Sequence, residues 1–557
     1  MPLPKLDPSD ARKARGAFFT PPTIAAYLAD WAVEDDPSAK VLDPTCGEAV
    51  FLEATGRRLR TLGASSRQIR HQVLGVDLHK ASVAASEGLL DAQGLGGSFF
   101  VDDFFTLSPP DRLDARLPYV DAIIGNPPFV RYQNHAGLDR RRSRQAALAQ
   151  GVRLSGLASS WAALVVHACG FLKPEGRLAM VLPAELLSVG YAEPVRQWLK
   201  RRFKAVHLVM FERLQFNDAV EHVVLVLARG SGGCNAFTLV PVENADDLER
   251  IRMFGPMHLN VAPARDGKWT DFLLPVEQRQ LFDRVVTDHF VPLGTYGTVS
   301  LGTVTGNNSF FCLSEQTRQR FEIDERHLVP IAPPGSRHLQ GASLTKKAWQ
   351  TLRDGGESVW LLQPQALGEA DSGLARYLEE GRAADVHEAY KCRHREFWYR
   401  PPLVSPPDLF FTYMSHRYPR LITNNARVSF VNSMHGVRLF RSSPSSAKQA
   451  LPLLLLNSTT MLGGEVFGRT YGGGILKMEP REAASLPVPS PRALDAAWQV
   501  LKKDKPVLDR LLRQGLWTGV AKRVDEALLQ GACGLPAGEA ARLHHASRTL
   551  RERRIGA

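Results

Sequence analysis

Four consecutive residues, Asn126-Pro127-Pro128-Phe129, carry groups that could bind a planar amine. They follow Asp121-Ala-Ile-Ile-Gly125, a pattern that predicts a short buried strand, so they fall at a strand's C-terminal mouth. Two successive prolines donate no backbone hydrogen bond and hold the chain extended, leaving their carbonyls as fixed acceptors. The Asn126 amide oxygen is a further acceptor, and Phe129 offers a flat apolar face. Two acceptors beside an aromatic ring suit a heterocycle bearing an exocyclic NH2, bound through its hydrogens and by stacking. An isolated segment of this kind is equally compatible with a plain strand-ending turn. Its neighbours have to decide.

Three acidic residues stand at comparable places. Val41-Leu-Asp-Pro-Thr-Cys-Gly-Glu-Ala-Val-Phe-Leu52 reads as a strand, a tight turn around Gly47 and an apolar helix start. It sits where a dinucleotide fingerprint would sit, yet lacks the glycines that let backbone approach a pyrophosphate. A turn with Asp43 and one glycine better suits a ligand with a cationic amino group and no phosphate, a description that S-adenosylmethionine (SAM) meets. Val73-Leu-Gly-Val-Asp77 ends the next strand in a carboxylate able to accept from both ribose hydroxyls. Phe99-Phe-Val-Asp102-Asp103-Phe104-Phe105 sets a carboxylate beside an aromatic, a pair that could hold an adenine by its amine and by stacking. Each alone is an ordinary strand end. The order Asp43, Asp77, Asp103, Asn126 on successive strand ends is not.

The elements that must position these residues read as an α/β, Rossmann-like doubly wound sheet. Strands are predicted at 40–42, 72–76, 119–124, 178–182 and 223–228, with a buried helix at Trp161–Leu172 stopped by Lys173-Pro174. The break Gly230-Ser-Gly-Gly-Cys-Asn235 ends this rhythm. The chain is then expected to divide into a catalytic domain over 1–265, a mixed α/β recognition domain over 266–490 and a helical segment over 491–557. The last segment should be amphipathic, with an exposed basic run from Arg542 to Arg554.

Composition narrows the partners. In 557 residues, 69 Lys and Arg outnumber 57 Asp and Glu, a net charge of +12. Such an excess favours a polyanion, because each neutralised phosphate releases counterions. No apolar stretch reaches the roughly 18–20 residues that span a bilayer, and the polar start MPLPKLDPSDARKAR lacks the core of an export signal. A cytoplasmic, nucleoid-associated monomer is expected. The six cysteines are dispersed without a CxxC pair, so neither a zinc site nor a disulfide framework is expected.

In order and wording the segments resemble the γ-class, TaqI-type, N6-adenine DNA methyltransferases of restriction-modification systems, over roughly residues 15–230. The resemblance implies that Gly16-Ala-Phe-Phe-Thr-Pro-Pro22 closes over the methionine end of SAM, with Thr20 in contact. Asp43, Thr45 and Gly47 would form the methionine turn, Asp77 and Leu78 the ribose and adenine contacts, and Asp103 and Phe104 the adenine pair. Asn126, Pro127, Pro128 and Phe129 would be catalytic, Pro128 also touching the cofactor. Phe129 and Phe216, the latter in Leu214-Gln-Phe-Asn-Asp-Ala219, would sandwich an adenine flipped out of double-stranded DNA. Asn126 Oδ1 and the Pro127 carbonyl would accept the two N6 hydrogens and bias the nitrogen towards sp3 for direct transfer. Phe129 stands where Tyr is commoner, which keeps the stacking face and loses a hydroxyl.

Three later stretches, 302–311, 390–399 and 471–480, resemble target-recognition segments of such enzymes. Between Tyr390 and Arg438 eight basic residues, among them Lys391, Arg393 and Arg395, face two acidic ones, interleaved with aromatics as suits phosphate anchoring. No carboxylate–carboxylate–lysine cluster suggests a fused nuclease, so restriction activity would reside in a separately encoded endonuclease. N4-cytosine methylation stays open, although Ser is commoner there in the Asn126 position. Also open are an RNA or protein-glutamine methyltransferase and an inactive DNA-binding subunit.

Overall fold

The computed structural model describes residues 20–130, 137–211, 223–254, 259–261, 269, 274–364, 372–471 and 474–555. Two compact units result, Met1–Phe272 and Leu273–Ile555.

In the first unit, helix α1 (Pro22–Val33) opens on Pro22, where a missing N–H costs nothing. It buries Ile24, Ala25, Leu28, Ala29, Ala32 and Val33, one face at helical spacing. Strand β1 (Val41–Asp43) is followed by α2 (Val50–Thr61) and α3 (Ser66–Gln72), then β2 (Val73–Asp77), α4 (Lys80–Ala92) and β3 (Ser98–Val101). Next come β4 (Val120–Gly125), α5 (Gly137–Ala149), α6 (Ser160–Ala168) and β5 (Leu172–Pro183). After α7 (Glu193–Arg202), strands β6 (Ala205–Phe211), β7 (Val223–Arg229), β8 (Phe237–Val242) and β9 (Leu259–Val261) complete one sheet.

The sheet order is β3-β2-β1-β4-β5-β7-β6-β8-β9. Strands β1 to β5 pair in parallel, with Val41 opposite both Val73 and Ala122. β7 lies antiparallel between β5 and β6. Parallel register brings the C-terminal ends of β1, β2, β3 and β4, and hence Asp43, Asp77, Asp103 and Asn126, to one edge.

The Gly230–Asn235 break is a reversal inside the unit, because β8 pairs with β6 and β9 with β8. Gly230, Gly232 and Gly233 all hold positive φ, which turns the chain back onto the sheet edge. β5 runs through Glu175-Gly176, and its pairing with β4 is irregular between Val120 and Ala122.

The second unit has a five-stranded sheet, in spatial order Gly297–Leu301, His435–Leu439, Leu409–Phe411, Leu421–Asn424 and Ser343–Leu344. Two three-stranded sheets and many short helices surround it. The helices beyond residue 491 do not stand apart. Leu494, Leu508, Leu528 and Leu543 share a hydrophobic core with Leu409, Val437, Leu451 and Leu462. Their apolar faces pack into that core, and so the chain forms two units rather than three. Among the described residues no single helix is long and apolar enough to cross a membrane. The bent apolar pair Ala447–Leu454 and Ser458–Phe467 lies in this same core.

The basic end of the chain is also less exposed than its composition suggested. Arg554 is only 3% exposed and forms a two-pronged pair with Glu465, 5% exposed, at 2.7 and 2.9 Å. Its remaining donors serve the carbonyls of Gly474 and His416. A buried pair of this kind contributes little net stability, but removing one partner strands the other charge. Arg554→Met is therefore expected to destabilise the protein by about 3–5 kcal/mol in denaturant titration. Replacing both residues by apolar side chains should recover most of the loss.

Candidate active site

Asp43 is completely buried at the end of β1. Its Oδ1 accepts from the Thr45 N–H at 3.0 Å, while Oδ2 has no hydrogen-bond partner among the described residues. Burial pushes its carboxyl up to about 8, the Thr45 N–H opposes this, and the charge of Asp77 adds to it. A Cβ at Gly125, in the last position of β4, would meet Asp43 Oδ1 at 2.8 Å. The glycine before Asn126 thus exists to make room for a carboxylate on the neighbouring strand.

The turn after β1 is tied to the next strand. Gly47, at φ +50°, donates to Asp77 Oδ2 at 3.0 Å, and its carbonyl accepts from Ser86 Oγ at 2.7 Å. Ala49 also holds a left-handed φ of 61°, a local cost met by the bonds around it. Asp77 Oδ1 accepts from the His79 N–H at 2.8 Å, and Leu78 between them is 63% exposed. A carboxylate and an exposed apolar side chain therefore stand together where the resemblance expects the ribose and adenine contacts. Cys46, within the turn, is buried and its thiol is pushed well above the usual range by burial, so it is no nucleophile.

Asp103 caps the turn after β3 through the Phe105 N–H at 3.0 Å and faces Arg142 of α5 at 3.6 Å. Phe104, expected beside Asp103 at the adenine, is 4% exposed, and its ring packs on His167 and Phe171 at 5.2 and 5.1 Å. Its apolar surroundings under α6 hold it there; Phe105 beside it is the less buried of the two. His167 Nε2 sits 3.2 and 3.1 Å from the carbonyls of Phe104 and Leu107 and pins this turn. In the sequence that histidine only interrupted an apolar run.

Asn126 Nδ2 donates to Thr20 Oγ1 at 3.2 Å, and Thr20 is buried. The contact leaves Asn126 Oδ1 buried and, among the described residues, without a partner. The amide oxygen is therefore the free acceptor, as amine binding needs. Phe129, 9% exposed, follows the two prolines. Beyond it, Ser160 at the start of α6 bonds Pro128 and Val130, a contact that no spacing in the sequence announced. Phe216 and Gly16–Phe19 lie outside the described residues, as do 131–136.

Among the described residues three buried polar atoms without partners, Asp43 Oδ2, Thr45 Oγ1 and Asn126 Oδ1, thus lie on residues that close one sheet edge. Buried polar groups are ordinarily satisfied; with Asn126 Oδ1 left for the amine, Asp43 and Thr45 suit a ligand with hydrogen-bond donors and positive charge. SAM meets that demand, its ammonium and hydroxyls matching the carboxylates. The site fits the cofactor.

In the second unit, Lys391 and Arg393 are exposed, whereas Arg395 is turned inward. Its guanidinium donates to the carbonyls of Val304 and Thr305, both at 2.7 Å, and lies over the Phe311 ring. The 302–311 and 390–399 segments are thereby bound together, with Phe310 and Trp398 in contact. Arg395 is spent on the scaffold and is not a surface cation.

A parallel sheet with an antiparallel seventh strand and acidic strand ends facing an Asn-Pro-Pro-Phe loop defines a SAM-dependent methyltransferase. Residues 8–247 match the N-6 DNA Methylase family and residues 266–529 the C-terminal domain of Type II methyltransferase M.Eco57I. Over these residues the chain is similar to those families, and it is a DNA methyltransferase with SAM as methyl donor. It is 22% identical to Type II methyltransferase M.AccI of Acinetobacter calcoaceticus, over 85% of this chain and 84% of that one. To M.XamI of Xanthomonas campestris pv. amaranthicola it is 24% identical, over 88% of each. A solved structure of the Type IIL restriction-modification enzyme MmeI in complex with DNA shares the fold. Its TM-score is 0.55 at 13% identity, over 98% of this chain and 80% of that one.

The buried carboxylate makes a prediction with a definite sign. The folded protein holds the Asp43 proton up to about pH 8, whereas an unfolded chain releases it near about 4. Stability of the cofactor-free protein should fall as pH rises between those values. Asp43→Asn should then melt above the parent at pH 8, with the gap closing towards pH 4. Its affinity for SAM, measured by titration calorimetry, should drop at least about tenfold.

Proposed function

We propose that this protein methylates N6 of an adenine flipped out of double-stranded DNA, as the modification enzyme of a restriction-modification system. The observation that carries the reading is the buried Asn126 Oδ1, unpartnered among the described residues, beside the Pro127 carbonyl at the edge that also holds Asp43 and Asp77. The match to an N-6 DNA Methylase and the Type II methyltransferase relatives support it.

Adenine N6 is a weak nucleophile because its lone pair is delocalised into the ring. Asn126 Oδ1 and the Pro127 carbonyl accept its two hydrogens and draw the nitrogen towards tetrahedral geometry. When bound, SAM supplies a methyl group whose bond to sulfur breaks with both electrons left on sulfur. Nitrogen gains the methyl and sheds one proton to solvent. Phe129, with Phe216, stacks on the extruded base. Thr20 contributes indirectly, since its hydroxyl holds the Asn126 NH2 and so keeps Oδ1 aimed as the acceptor. In the second unit, Lys391 and Arg393 take DNA phosphates. The cognate nuclease is a separate polypeptide.

Incubation with methyl-labelled SAM and unmethylated plasmid, followed by digestion to nucleosides, tests the reading. Label is expected in N6-methyladenine and should fall at least about a hundredfold in Asn126→Ala. Label in N4-methylcytosine would overturn the base assignment, and an Asn126→Ala protein with full activity would overturn the mechanism.

The two kinds of basic residue should also separate in salt titrations. Loss of Lys391 or Arg393 should lower the slope of log affinity against log salt by about 0.9 per phosphate contact. Arg395→Ala should instead lower the melting temperature of the protein.

A further inference from the structure

The Asn126-Pro127-Pro128-Phe129 segment has an anchoring problem. Two of its four residues have no N–H, so the usual donors that would tie a loop to its surroundings are missing. Its carbonyls, moreover, are wanted for substrate. Something outside the loop must hold it without consuming the acceptor that faces the amine.

Ser160 does this with three bonds. Its Oγ donates to the Pro128 carbonyl at 2.5 Å and accepts from the Val130 N–H at 3.0 Å. Its own N–H donates to the Val130 carbonyl at 3.0 Å. That N–H is free to do so because the first residues of a helix have no partner within it. Ser160 is 6% exposed, so these bonds are sheltered from water. Ser159 beside it bonds the Tyr191 hydroxyl at 3.1 Å, as does the Trp161 indole N–H. The hydroxyl of Ser160 therefore stands on a fixed base.

In a proline-held extended stretch, with three residues per turn, successive carbonyls point in different directions. With the Pro128 carbonyl engaged by Ser160, the Pro127 carbonyl is the one left for a ligand. None of the described residues donates to the Pro127 carbonyl. We propose that Ser160 is a positioning residue for methyl transfer: by engaging Pro128 and Val130 it assigns the Pro127 carbonyl to the target amine. The inference rests on the adenine-amine reading of this site. Ser160 touches neither Asp43 nor Asp77, so its effect should fall on the transfer step and not on cofactor capture.

The test compares the parent, Ser160→Ala and Asn126→Ala on unmethylated plasmid with labelled SAM, as the rate of the first turnover with enzyme in excess. KM for SAM and for DNA and the melting temperature are measured alongside. Ser160→Ala is expected to lose at least tenfold in rate, with both KM values within about threefold of the parent and at most a small fall in melting temperature, from the two partners left unpaired. A parent-like rate would overturn the proposal while leaving the adenine reading intact. A fall in rate accompanied by weaker SAM binding or by loss of the folded state at the assay temperature would also overturn it, because the hydroxyl would then be supporting the fold. Full activity in Asn126→Ala would instead sink the underlying reading.

Discussion

A carboxylate with no exposure to water has to be compensated, and at the end of β1 the compensation is incomplete by design of the residues around it. Asp43 receives one backbone N–H and, among the described residues, keeps one oxygen without a partner. The like charge of Asp77 makes its ionisation harder still. The rest of the first unit is arranged about this tension. Gly125 is a glycine because Asp43 occupies the space of its side chain, and the Gly47 turn is stitched to Asp77 so that two acidic groups share one edge. A cofactor carrying an ammonium group relieves what the protein alone leaves unrelieved. Stability is given up here for binding, a trade common at functional sites.

The loop that handles the substrate follows a different logic. Its prolines make it stiff and poor in donors, so its placement is delegated to side chains on other elements. Thr20 comes from the segment before α1 and Ser160 from the start of α6, each reaching the loop with a hydroxyl. Both leave an acceptor open, Asn126 Oδ1 in one case and the Pro127 carbonyl in the other. A rigid loop held at its sides, with acceptors unspent, needs little reorganisation when an amine arrives.

The second unit shows that positive charge in a sequence is not the same as positive surface. Arg395 and Arg554 are consumed by backbone carbonyls and a buried glutamate, while Lys391 and Arg393 stay exposed. Guanidinium groups serve well as internal clamps, having five donors in a fixed fork. Counting arginines therefore overstates the cations available to phosphates. The two segments that Arg395 joins are some ninety residues apart, and their union is a property of the folded unit alone.

Much of the catalytic half was legible beforehand. Short apolar runs ending in Asp43, Asp77 and Asn126 announced strands by their period and their stop residues, and parallel alternation made those ends converge. That argument needs only local pattern plus the rule that parallel strands share an edge. What could not be read was anything decided by which side chains meet across long sequence distances. The inward ring of Phe104, the histidine that pins its turn, the hydroxyl of Ser160 beneath Pro128 and the return of the chain after Gly230 belong to this class. So does the merging of the last helices into the core of the second unit. Periodicity shows that a residue has a face to bury; only packing decides against what, because contact energies depend on partners the local sequence does not contain.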